Sequence, residues 1–237
     1  MNKTKSTVEE IRQRFDSDVE RFANLDTGQV STIDARYSLD LITEVAKRLE
    51  PYAENLLDVG CGAGNYTLTM LQKTPNLNCT LVDLSKPMLD RALERVAAQT
   101  EGKVEIVQGD IRKVALKENH FDIILAGAVL HHLRDDRDWE NVFAKLYNLL
   151  KPGGCLMISD LVRQDNEVLT EYFWQRYAEY LDETGGQDYR RKILDYVARE
   201  DSPRSIACQL ELMKKVGFKS VEVLHKNVCF GAFGGVK

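Results

Sequence analysis

The residues of this chain that could do chemistry gather at a few points. The first is Leu57-Asp58-Val59-Gly60-Cys61-Gly62-Ala63-Gly64-Asn65, at the end of a short apolar run. Glycines let a backbone turn sharply and approach a ligand closely, although any tight turn can look the same. The second is Asp83, in Val82-Asp83-Leu84-Ser85. An acid about 20 residues past a Gly-rich turn can accept both hydroxyls of a ribose; Asp83 or Ser85 can equally cap the following helix. The third is Asp110, in Gln108-Gly109-Asp110-Ile111, where a carboxylate can face the exocyclic amine of a nucleobase. The fourth is the pair His131-His132. His131 is a candidate general base. Neighbouring side chains usually point apart, so no metal site is expected, and Asp135 and Asp136 nearby do not supply one.

These points need a frame that brings them to one edge. Strands are expected over 56–59, 79–82, 104–107, 121–126 and 155–159, and helices over 65–73, 86–98 and 138–150. Pro152-Gly153-Gly154 reads as a turn before the fifth strand. Short, nearly continuous apolar strands alternating with helices imply a parallel sheet covered on both faces. Ligands bind such sheets at the carboxyl ends of the strands. Two last strands, 220–225 and 228–234, joined tightly at Lys226-Asn227, read as an antiparallel hairpin. The fold class is therefore α/β: a doubly wound, mostly parallel seven-stranded sheet with a C-terminal antiparallel hairpin and a helical lid insertion.

The whole chain, 1–237, reads as one domain. Residues 1–35 form a helical cap with Val8, Ile11, Phe15, Val19 and Phe22 at helical spacing, and 36–161 form the core, which opens with a helix over 38–50. Residues 162–202, with several aromatics and two or three helical segments, form the lid. Residues 203–237 hold the last helix, with Pro203 in its first turn, and the hairpin. The net charge of −5 argues against a broad basic surface for nucleic acid. Five scattered cysteines without a C-x-x-C pair suit free thiols in a reducing compartment. The N-terminus has no apolar signal core, and the longest apolar run, 123–130, is too short to span a bilayer. A cytoplasmic protein without membrane contact is expected. A homodimer is expected from the apolar surface of the lid and the cap.

D-V-G-C-G-A-G-N, V-D-L-S, G-D-I and L-L-K-P-G-G together resemble the successive motifs of the class I S-adenosylmethionine-dependent methyltransferases, over roughly 36–161 and the terminal hairpin. The main rival, a dinucleotide-binding dehydrogenase, has glycines spaced G-x-G-x-x-G, whereas here they are Gly60, Gly62 and Gly64. The resemblance implies S-adenosyl-L-methionine as cofactor. It implies that Asp58, Gly60, Cys61 and Gly62 line its methionine part and that Asp83 holds the ribose. Leu84 and Met88 would flank the adenine, Asp110 would meet its amine, and Ile111 would pack on the ring. Ala126, Gly127 and Ala128 would form the floor near the sulfonium.

Within that family, the C-terminal third is similar to the enzymes that make carboxy-S-adenosylmethionine for tRNA wobble-uridine modification, through Tyr189-Arg190-Arg191, Asp201-Ser202, Val216-Gly217-Phe218 and Cys229-Phe230-Gly231. That likeness places Arg191 as a carboxylate-binding residue and Tyr37 near an active-site tyrosine. The expected function is methyl transfer to a small molecule, with an acidic one as the sharper expectation. The alternatives are a carboxy-S-adenosylmethionine synthase-like enzyme of tRNA modification and a cofactor-binding protein without catalysis.

Overall fold

The computed structural model describes residues 5–237. Three short helices open the chain: α1 (Val8–Asp16), α2 (Val19–Ala23) and α3 (Leu25–Gly28). Helix α1 starts at a capping box, in which Thr7 and Glu10 satisfy each other's backbone N–H. The cap predicted as one amphipathic stretch is broken between α1 and α2, and its first four residues lie outside the described part. Helix α4 (Ala35–Leu49) begins three residues earlier than the sequence suggested.

The alternation then follows. Strand β1 (Asn55–Val59), α5 (Asn65–Lys73), β2 (Asn78–Asp83), α6 (Lys86–Ala97), β3 (Val104–Gln108) and β4 (Phe121–Gly127) lead to a 3₁₀ turn at Leu130–His132. Helix α7 (Asp136–Leu149), β5 (Leu150–Leu161), α8 (Glu167–Glu200), α9 (Ile206–Val216), β6 (Ser220–Asn227) and β7 (Phe230–Val236) complete the chain. The seven strands form one sheet in the order β3-β2-β1-β4-β5-β7-β6. Strands β1 to β5 are parallel, and β7 pairs antiparallel with both β5 and β6. This is the expected fold class. The order reverses at β1/β4, which is where an open α/β sheet leaves a crevice for ligand.

Alternate residues of each buried strand feed opposite faces. Leu57, Ile124 and Leu156 pack with Trp139 and Phe143 of α7 and Met213 of α9. Leu56, Ile123 and Met157 pack with Ile42 of α4, Met70 of α5 and Leu89 of α6. A third cluster, Ile33, Leu161, Tyr177, Leu181 and Phe230, lies under the long helix α8.

Three local expectations are revised. Pro152-Gly153-Gly154 is not a separate turn but an irregularity inside β5, whose pairing with β4 jumps from Leu150 to Cys155. The hairpin turn falls at Val228-Cys229, with Asn227 opposite Phe230 and Val228 at φ 52°. Pro203 precedes α9 instead of entering it, because Ser205 takes the cap by accepting from the Cys208 N–H. The lid, by contrast, has the expected segmented form: α8 is two helical segments that meet at Gly186, whose φ of 78° and ψ of 179° interrupt the helical path. Phe143 is wholly buried between α7 and the sheet, so Phe143→Ala should lower the unfolding free energy by about 3–5 kcal/mol. Chemical denaturation with an unchanged m value would register that loss.

Candidate active site

The glycine turn is held by two carboxylates. Asp58, buried at the end of β1, accepts from the Thr67 N–H at 3.2 Å and from its hydroxyl at 2.7 Å, which ties the strand to the first turn of α5. Burial pushes its pKa up to about 6, against those hydrogen bonds. Asp83, at the end of β2, accepts from the Gly62 N–H at 2.8 Å and from the Ser85 N–H at 2.9 Å. Its acidity is also weakened by burial, with the backbone N–H groups opposing. Gly60, Gly62 and Gly64 all have positive φ. A Cβ on Gly60 would strike Val129 at 2.4 Å, whereas one on Gly62 would meet nothing within 4 Å. Gly62 therefore presents open backbone, next to the Asp83 carboxylate.

Beyond this turn lies a cavity of about 600 Å³, walled on one side by the ends of β1, β2, β4 and β5. The opposite wall is made by α1 to α3, through residues such as Phe15 and Phe22, and by the second half of α8, through Tyr189, Lys192 and Tyr196. The insertion after β5 thus roofs the strand ends. Among its aromatics, Tyr177 and Tyr180 donate their hydroxyl protons to the carbonyls of Ser31 and Val30, at 2.9 and 2.8 Å, and Tyr177, Tyr189 and Tyr196 line the cavity.

The far end of the cavity carries a buried polar cluster. Asp160, on β5, accepts from the His131 N–H at 3.0 Å and contacts the same residue's Nδ1. The His131 Nε2 lies 3.7 Å from Asp201 Oδ1, and His132 Nδ1 lies 3.2 Å from that oxygen. Burial opposes a charge on His131, but Asp160 and Asp201 prevail and raise its pKa to about 9. Asp201 stays acidic despite burial, chiefly because His131 faces it. Glu200 receives a two-pronged ion pair from Arg14 of α1, with contacts of 2.8–3.1 Å.

Of the residues singled out in the sequence, Gly60, Cys61, Gly62, Asp83, Leu84, Met88, Gly127, Ala128 and His131 line this cavity. Asp58 and Ala126 lie beneath its wall. Asp110 and Ile111 stand outside it; Asp110 is gripped by Arg112, whose Nε donates to both its oxygens at 2.9 Å and whose Nη1 reaches Asp138 at 2.6 Å. Tyr37 is exposed and packs edge-on against His225, with ring centroids 5.0 Å apart. Arg191 points to solvent and pairs with Asp188 one helical turn away. Neither residue reaches the cavity. Sequence analysis gave no role to Asp160, Glu200 or Arg14, which lie in no recognisable motif, and it noted Asp201 only as part of the Asp201-Ser202 likeness, without placing it in the site.

Comparison with known proteins identifies the family. Residues 56–154 match the methyltransferase domain family. The chain is 30% identical over 200 residues to a carboxy-S-adenosyl-L-methionine synthase of Mannheimia succiniciproducens, covering 81% of this chain and 80% of that one. It is 27% identical to a demethylmenaquinone methyltransferase of Listeria monocytogenes, with 73% of each covered. Among solved structures, the N-methyltransferase NodS from Bradyrhizobium japonicum, in complex with S-adenosyl-l-homocysteine, superposes with a TM-score of 0.64 at 16% identity, over 95% of this chain and 97% of that one.

The chain belongs to the class I S-adenosylmethionine-dependent methyltransferases. It is an S-adenosylmethionine-dependent methyltransferase, and the open backbone at Gly62 beside the Asp83 carboxylate fits that cofactor. Among the described residues, no helix is long and apolar enough to cross a membrane.

Charge-assisted hydrogen bonds contribute about 1.5–3 kcal/mol each. Asp83→Ala should therefore weaken S-adenosylmethionine binding at least about tenfold by calorimetry while the protein stays folded. Arg191→Lys and Arg191→Ala should both leave cofactor affinity unchanged, because an exposed ion pair contributes about 0–1 kcal/mol. A tenfold loss in either Arg191 variant would place that guanidinium on the ligand.

Proposed function

We propose that this enzyme methylates a small acidic molecule held between the glycine turn and the second half of α8. The observation that carries the reading is Lys192: it reaches the cavity, yet it has no carboxylate partner among the described residues. Its positive charge complements an anionic acceptor without first breaking an ion pair. The bound cofactor supplies an electrophilic methyl group on a sulfonium, which an acceptor displaces in line. The chain's own contribution is alignment in a site sheltered from water, the kind of effect that supplies much of the rate in such transfers. The roof of Tyr189, Tyr196 and Ile193 excludes water, and Asp83 with Gly62 anchors the cofactor's ribose end. Leu84 and Met88 flank the adenine, with Asp110 and Ile111 one strand further out.

The relatives named as carboxy-S-adenosyl-L-methionine synthases favour a second reading, in which the cofactor itself is carboxylated. The two residues tied to that chemistry by likeness, Tyr37 and Arg191, lie outside the cavity, so the first reading is preferred. A homodimer remains part of the proposal: Val168, Leu169 and Tyr172 expose apolar surface at the start of α8, whereas Ile11 and Phe15 of the cap are already used within the chain.

Mass spectrometry of co-purified ligand separates the two readings, since a carboxylated cofactor differs in mass from the plain one. A panel of small carboxylic acids and neutral analogues, followed by S-adenosylhomocysteine release, tests the acceptor class. Acids should be preferred, and Lys192→Gln should raise their KM about tenfold, a loss of about 1.4 kcal/mol, while sparing neutral analogues. Equal turnover of neutral and acidic acceptors would overturn the assignment.

A further inference from the structure

We propose that His131, His132 and Asp201 form a binding site for one divalent transition-metal ion, open towards the cavity. The three side chains offer one donor atom each, and all three atoms lie within 4.8 Å of one another. Two of the separations, 3.2 and 3.7 Å to Asp201 Oδ1, bracket the distance of about 3.4 Å expected between ligands held tetrahedrally at about 2.1 Å from a zinc-like ion. Two imidazoles and one carboxylate form a donor set suited to zinc or ferrous iron.

The surroundings point the same way. Asp201 is 4% exposed, and its buried Oδ1 makes no well-aligned hydrogen bond, although the two histidine nitrogens stand 3.2 and 3.7 Å away. A buried carboxylate oxygen without a donor is costly, and a cation between the rings removes that cost. The other ring nitrogen of His131 contacts Asp160. A carboxylate behind a histidine is the usual support of a metal ligand, because it fixes the ring's tautomer and orientation. The backbone is braced as well: the Ser202 N–H donates to the His131 carbonyl at 2.7 Å, which joins the segment bearing Asp201 to the histidine turn. An ion here takes the place of the ring proton between His131 and Asp201.

Three protein ligands leave at least one position for an exogenous oxygen, the arrangement of a catalytic rather than a structural site. All three residues line the cavity that also contains the glycine turn. The ion would hold a carboxylate or enolate oxygen of the acceptor. That role rests on the proposed function above; the binding of the ion does not.

The test is titration of the chelator-stripped protein with Co²⁺ and Zn²⁺ alone, read by cobalt d–d absorption and by metal analysis after gel filtration. We expect one ion per chain. His132→Ala and Asp201→Ala should each abolish the cobalt spectrum, and Asp160→Asn should weaken binding by about 10–100-fold. His225→Ala, on β6, should leave the stoichiometry intact. Thermal melting and S-adenosylmethionine calorimetry on the same samples identify a variant that has merely unfolded; for such a variant, Asp201→Asn and His132→Gln repeat the comparison. Binding that is absent in the wild type, or unchanged in every ligand variant, overturns the proposal. If the wild type binds S-adenosylmethionine but no metal, this site fails alone. If it binds metal but carboxylic acids are not preferred acceptors, the acceptor reading fails and the site stands.

Discussion

The contact between Asp160 and His131 holds together parts of the chain that are far apart in sequence. Asp160 lies near the end of β5, and one of its oxygens takes the backbone N–H of His131 while the other meets the ring. The carbonyl of the same histidine takes the N–H of Ser202, just past α8. Strand edge, 3₁₀ turn and lid terminus are therefore positioned through one residue. Such a network holds its geometry only if its members are satisfied, because the low polarity of the interior penalises any group left without a partner. Arg14 meets that need for Glu200 and in doing so brings α1 into the wall. The cap is thus part of the site's electrostatics as well as its cover.

The sheet was legible because its signals are local and repeated. Runs such as Ile123-Ile124-Leu125 can hardly be anything but strands buried on both faces, and Gly64 marks the entry to α5 by spacing alone. The site was legible where function writes itself into consecutive residues, as in Gly60-Cys61-Gly62 and Val82-Asp83-Leu84. It was not legible where two distant segments cooperate. Nothing around Asp201 announces that it will face His131, because α8 must first cross the strand ends and return. Adjacent histidines were expected to diverge, as they do on a regular strand or helix. The 3₁₀ turn bends the chain so that their rings come within 4.3 Å, centroid to centroid.

Arg191 and Tyr37 show the limit of transferring roles by likeness. Position in a motif says that a residue occupies the same stretch of helix, not that its side chain leaves by the same face. Arg191 and Lys192 are both exposed, but at about 100° per residue one step along α8 separates Arg191, which pairs with Asp188, from Lys192, which lines the cavity. Asp110 makes a related point. Its carboxylate has a local partner in Arg112, and such a pair competes with any ligand for the same oxygens.

The attachment of the lid to the cap has an evolutionary side. Tyr177 and Tyr180 donate to main-chain carbonyls of Ser31 and Val30, and a carbonyl is present whatever side chain the residue carries. Position 30 is therefore free to drift without losing its anchor, whereas the two tyrosines are not, and Ser31 is held further by its side-chain hydrogen bond with Tyr189. A lineage can remodel the side chains that a substrate meets on the cap while the anchoring geometry is inherited unchanged.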